Sequence, residues 1–76
     1  MQRISDEQNA IARNVYRAGK AFGVTGILGR APRRVHAGMD ASAWSRPKLI
    51  VYGTLTNKAA VAALTAGWNG DVEYQS

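Results

Sequence analysis

No cysteine occurs in this chain, so neither a disulfide framework nor a thiolate metal site supports the fold. Histidine occurs once, at position 36. One imidazole among scattered carboxylates has no zinc-ligand spacing, and it has no nucleophile beside it of the kind acid–base or covalent catalysis needs. No apolar run approaches the ~20 residues that cross a bilayer. The glycines at 19, 23, 26 and 29 do not form a phosphate loop, because no strand signal precedes them and no Gly-Lys-Ser/Thr follows. Catalytic residues, metal ligands and a cofactor site are therefore all expected to be absent.

Seventy-six residues make one domain at most, and a marginal one, since a chain this short buries only about 60% of its unfolded surface. The net charge of +5 is unevenly distributed. Residues 1–38 carry seven basic side chains against Asp6 and Glu7, whereas residues 39–76 are balanced. One half of the chain is basic and the other neutral.

Ser5 followed by Gln8 is a capping-box pattern, and Asp6 and Glu7 suit the positive end of a helix dipole. Ile11, Val15, Ala18 and Phe22 then recur at helical spacing, which predicts an amphipathic helix over residues 5–22. Its basic residues Arg13, Arg17 and Lys20 share one face. Residues 26–43 are rich in glycine and basic residues and lack a period, so they read as a flexible linker. A strand is expected at residues 48–52, rich in β-favouring types. A short helix capped by Thr56 or Asn57 runs to Leu64, with Gly67 as its terminating glycine, and a polar tail follows. The expected fold class is thus mostly disordered or a small α+β domain: an N-terminal helix, a basic linker, one short strand, one short helix and a tail. Its segments are 1–25, 26–43, 44–66 and 67–76.

Within this, Trp44, Pro47, Leu49 and Gly53 stand at fixed spacing. Leucine two residues after proline shares its side of a pleated strand. Proline removes a backbone donor and biases Arg46 toward an extended conformation. Such a segment suits lying along the open edge of another protein's sheet.

The pattern aromatic-x-x-Pro-x-Leu-x-x-x-Gly resembles the leader motif of lasso-peptide precursors, a class of ribosomally made and then modified natural products. Trp44 takes the place of the family's tyrosine, and Thr65 that of its penultimate leader threonine. The resemblance implies a non-enzymatic precursor, cytoplasmic before its product is exported, that needs no cofactor of its own. Pro47 and Leu49 would be read by a leader-recognition domain. A leader peptidase would cut between Ala66 and Gly67, and an ATP-dependent cyclase would join the Gly67 amine to Glu73.

Two other readings stay open on the residues alone. One is a small basic interaction protein, either nucleic-acid-associated or a subunit of a larger assembly, with Arg13, Arg17, Lys20, Arg30, Arg33 and Arg34 as its contacts. The other is an independent small domain in which Pro47–Gly53 is an ordinary strand and turn. Met39 opens a segment of its own, so residues 1–38 read equally as upstream sequence or as a genuine helix and linker.

Overall fold

The computed structural model describes residues 4–32 and 46–76. In chain order they form helix α1 (Asp6–Gly19), a 3₁₀ turn (Lys20–Phe22), strand β1 (Val24–Arg30), strand β2 (Lys48–Gly53), helix α2 (Lys58–Leu64) and strand β3 (Asp71–Gln75). Of the two fold classes expected from sequence, these residues adopt the small α+β one.

α1 starts where its capping box predicts. The Gln8 backbone N–H donates to Ser5 Oγ at 3.2 Å, and Asp6 and Glu7 occupy the first turn. α2 starts in the same way, with the Ala60 N–H donating to Asn57 Oδ1 at 3.0 Å. Thr65 closes it, its hydroxyl donating to the Ala62 carbonyl at 2.8 Å.

The sheet has the order β1-β2-β3, antiparallel between β1 and β2 and parallel between β2 and β3. α2 supplies the crossover that a parallel pair requires. β2 is therefore the central strand, paired on both edges within the chain. Strand alternation points Leu49 and Val51 toward the helices, where they join Ala12, Val15, Val24, Val61 and Trp68 in one buried cluster. Leu49, Val15, Val51 and Val61 are fully enclosed. Ile50 points to the other face and is buried too, in register with Leu28 and Glu73.

Three expectations from sequence need correction. The described residues form three strands rather than one. Residues 26–30, assigned to the linker, belong to β1. They carry two glycines and little β-propensity, and pairing with β2 rather than local preference makes them a strand. The polar tail is β3. Trp68, just before it, is 7% exposed, with its indole N–H donating to the Pro47 carbonyl at 3.4 Å. The expected N-terminal helix, central strand and second helix all form at nearly the predicted bounds.

One corner draws the elements together. Gly23 (φ +94°) and Gly53 (φ +141°) have backbone conformations that L side chains rarely adopt. A β-carbon on Gly53 would run into the Gly23 carbonyl oxygen, and one on Gly23 into the Thr54 carbonyl oxygen. The Thr56 N–H donates to the Phe22 carbonyl beside them at 2.9 Å. The backbones of the β1 entry and the β2 exit thus touch with no room for a side chain between them.

Candidate binding groove

α1 turns 100° per residue, so Asn9, Arg13, Tyr16, Arg17 and Lys20 fall in one sector of its surface. That sector faces away from α2. The opposite side of α1 packs inward, where Ile11 lies against Gly67 and the Gln8 side chain donates to the Asn69 carbonyl at 3.2 Å. Because α1 and β1 run antiparallel through the tight turn at Gly23, the exposed sector lies along β1.

Between them is a groove of about 310 Å³ lined by Asn9, Ala12, Arg13, Tyr16, Arg17 and Ile27. Ala12, Ile27 and the Tyr16 ring give it apolar lining, and Arg13 and Arg17, which line it too, each bring a guanidinium group. Lys20 adds a third cation, with its Nζ 4.5 Å from the centroid of the Tyr16 ring. The negative ring face favours an ammonium there. Among the described residues no carboxylate lines the groove. The nearest acid on this helix face is Asp6, two turns before Arg13, which is about 10 Å along the axis.

Of the six basic residues expected to act together, the fold gathers three. Arg13 and Arg17 line the groove, and Lys20 caps its aromatic wall. Arg30 is not among them. It pairs in register with Lys48, on the sheet face opposite to that of Ile27 and Gly29, which face the helices. Arg33 and Arg34 lie outside the described residues. Sequence reading missed Tyr16 and Ile27 as groove residues. Tyr16 carried a readable signal, three residues after Arg13 and four before Lys20. Ile27 carried none, since its position depends on β1 being a strand.

The residues that carry the leader resemblance sit elsewhere. Trp44 lies outside the described residues. Pro47 precedes β2, and its carbonyl accepts from the Asp71 N–H at 3.0 Å as well as from Trp68. Leu49 is in the core and Gly53 in the glycine corner. Thr65 is 8% exposed as the cap of α2, and Ala66 follows it, exposed. Gly67 lies on the helix side of the sheet, against Ile11. Glu73 alternates with the helix-facing Val72 and Tyr74 and so points from the opposite face, where it accepts from the Gln75 side chain at 3.3 Å. The fold does not bring Gly67 and Glu73 together.

Among the described residues no group of three or more acidic or histidine side chains is placed to hold a metal ion. No helix among them is long and apolar enough to cross a membrane. No family model, no curated protein and no solved structure matches the chain.

Proposed function

We propose that this chain is a small basic interaction domain that binds an anionic partner through the groove between α1 and β1. One arrangement carries the reading: Arg13, Arg17 and Lys20 stand around an apolar floor with no carboxylate of the described residues in the lining. A helix face whose charges are merely solvated has no need of a concave apolar surface beside them. Cations at the rim of such a surface are positioned to meet an anion while apolar contact adds to the affinity.

The test is a titration of the folded chain with poly-glutamate and with a single-stranded oligonucleotide at several salt concentrations. Affinity should fall as salt rises, with a logarithmic slope of at most about three for three cations. Arg13→Glu combined with Arg17→Glu should weaken binding at least about tenfold, because it places like charges opposite the ligand. Arg30→Glu combined with Lys48→Glu, the same change of charge placed on the far face of the sheet, should change it little. Equal losses from both variants would mean that only net charge matters, and the groove reading would then be wrong.

A second reading, the lasso-type precursor, is favoured by the spacing of Trp44, Pro47, Leu49 and Gly53. It requires β2 to leave both its neighbours before another sheet can receive it. Apparent affinity for a leader-recognition domain would then scale with the fraction of chain in the opened state. Gly23→Ala, which loosens the fold without touching the motif, should on this reading tighten binding. Unchanged or weaker binding by that variant would count against a precursor.

A further inference from the structure

β1 is an edge strand: among the described residues only β2 pairs with it. An unpaired edge invites another strand unless charge, proline or a strong bulge blocks it. The two edges of this sheet differ in this respect. β3 presents Asp71 and Glu73 along its five residues. β1 has no charge before its last residue, Arg30, and no proline. Its irregularity is confined to the start, between Val24 and Gly26. Beside the free edge Ile27 lines the groove on the helix side, and Leu28, 42% exposed, projects from the other face.

We infer that an extended acidic peptide adds to β1 as a fourth strand, with its inward side chains entering the groove. This rests on the groove being the binding site and specifies what occupies it. Alternate side chains of an added strand point to one face. An apolar one would lie over Ile27, and carboxylates two residues either side of it would reach Arg13 and the Arg17–Lys20 pair. Backbone bonds along β1 supply affinity, and the groove supplies the selection for acid. Asp6 stands near the end of the groove where β1 finishes, so the acidic requirement is strongest toward Val24.

Charge also argues against a second copy of this chain as the occupant. Pairing β1 with β1 about a two-fold axis sets the two α1 helices antiparallel on one face, with the Arg13–Arg17 stretch of one copy against that of the other. Pairing β1 antiparallel with the β3 of a second copy brings up α2, whose sequence Lys58–Leu64 contains no acid, and turns Asp71 and Glu73 to the sheet face away from the groove. Neither arrangement supplies the negative charge that the groove calls for. A lone peptide brings no helical layer and meets no such conflict.

The experiment titrates the full chain with a capped heptapeptide, Thr-Asp-Thr-Val-Thr-Asp-Thr, and follows β1 amide exchange by NMR. Expected are binding that weakens about tenfold or more when both aspartates become asparagine, protection of alternate β1 amides, and loss of binding in one of two peptides N-methylated on alternate backbone nitrogens. If both methylated peptides bind as well as the parent, strand addition is refuted while the groove remains the anion site. An asparagine peptide that binds equally refutes the acidic partner. A chain that binds the single-stranded oligonucleotide but not the peptide refutes the inference and keeps the groove. Failure of both ligands removes the groove reading as well.

Discussion

Leu49→Ala should destabilise the domain by about 2–5 kcal/mol, the usual range for emptying a fully buried leucine site. Leu49 is completely enclosed near the start of the middle strand, in a cluster with Val15, Val51, Val61 and Trp68. Natural domains hold roughly 0.05–0.15 kcal/mol per residue, so a chain of 76 residues has about 4–11 kcal/mol in all, of which this loss is a large part. A urea titration followed by far-ultraviolet circular dichroism should show the midpoint falling sharply, with a substantial unfolded fraction before denaturant is added. The same substitution separates the two functional readings. In a disordered precursor Leu49 serves only its recognition domain, and alanine there leaves the free chain's denaturation curve unchanged. An unchanged curve would therefore remove the core described above.

Gly53→Ala should be at least as damaging, for a reason that has nothing to do with hydrophobicity. At φ +141° an L residue is strained, and its β-carbon would overlap the Gly23 carbonyl oxygen. Strain of this kind costs about 1–3 kcal/mol even where space is available. Here the obstruction is backbone, which no rotamer change can move aside. Each kcal/mol lowers the melting temperature of a domain this size by about 4–8 °C, so the variant should melt ten degrees or more below the parent, or show no cooperative transition. Melting within about 2 °C of the parent would mean that the corner at Gly23 and Gly53 is not as tightly closed as described.

These two residues also show why the leader resemblance and the fold draw on the same positions. Pro47, Leu49 and Gly53 each have a reason to be present within the domain. The Pro47 carbonyl accepts the Trp68 indole and the first amide of β3, Leu49 fills the core, and Gly53 makes the corner. A strand shaped for pairing was readable in that run, but its partner was not. The partners turned out to be β1 and β3 of the same chain.

What was legible follows from the range of the interaction that specifies each element. α1, α2 and β2 carry local signals: a capping box at Ser5, a capping Asn57, and a β-favouring run at Leu49–Tyr52. β1 and β3 carry none. β1 is interrupted by Gly26 and Gly29, and β3 alternates acid with Val72 and Tyr74 over too few residues to stand out from a solvated tail. Both become strands because β2 offers hydrogen-bonding edges, a condition set by residues distant in sequence. The same limit applies to the groove. Its cations were readable as one helix face, but Ile27 on its floor became visible only once β1 was placed beside that face.

The central position of β2 also bears on how the molecule is made. Every sheet pairing joins segments that are remote along the chain, and the parallel pair with β3 cannot form until α2 has crossed over. High contact order slows folding, because loop closure must precede the contacts that reward it. β3 comes last in chain order, so the sheet completes only after the strand most heavily marked by acid has emerged. Until then one edge of β2 is open in addition to the uncharged edge of β1. Synthesis therefore passes through an interval in which the nascent chain is stickier than the finished one, and the speed with which its last strand docks decides how long that interval lasts.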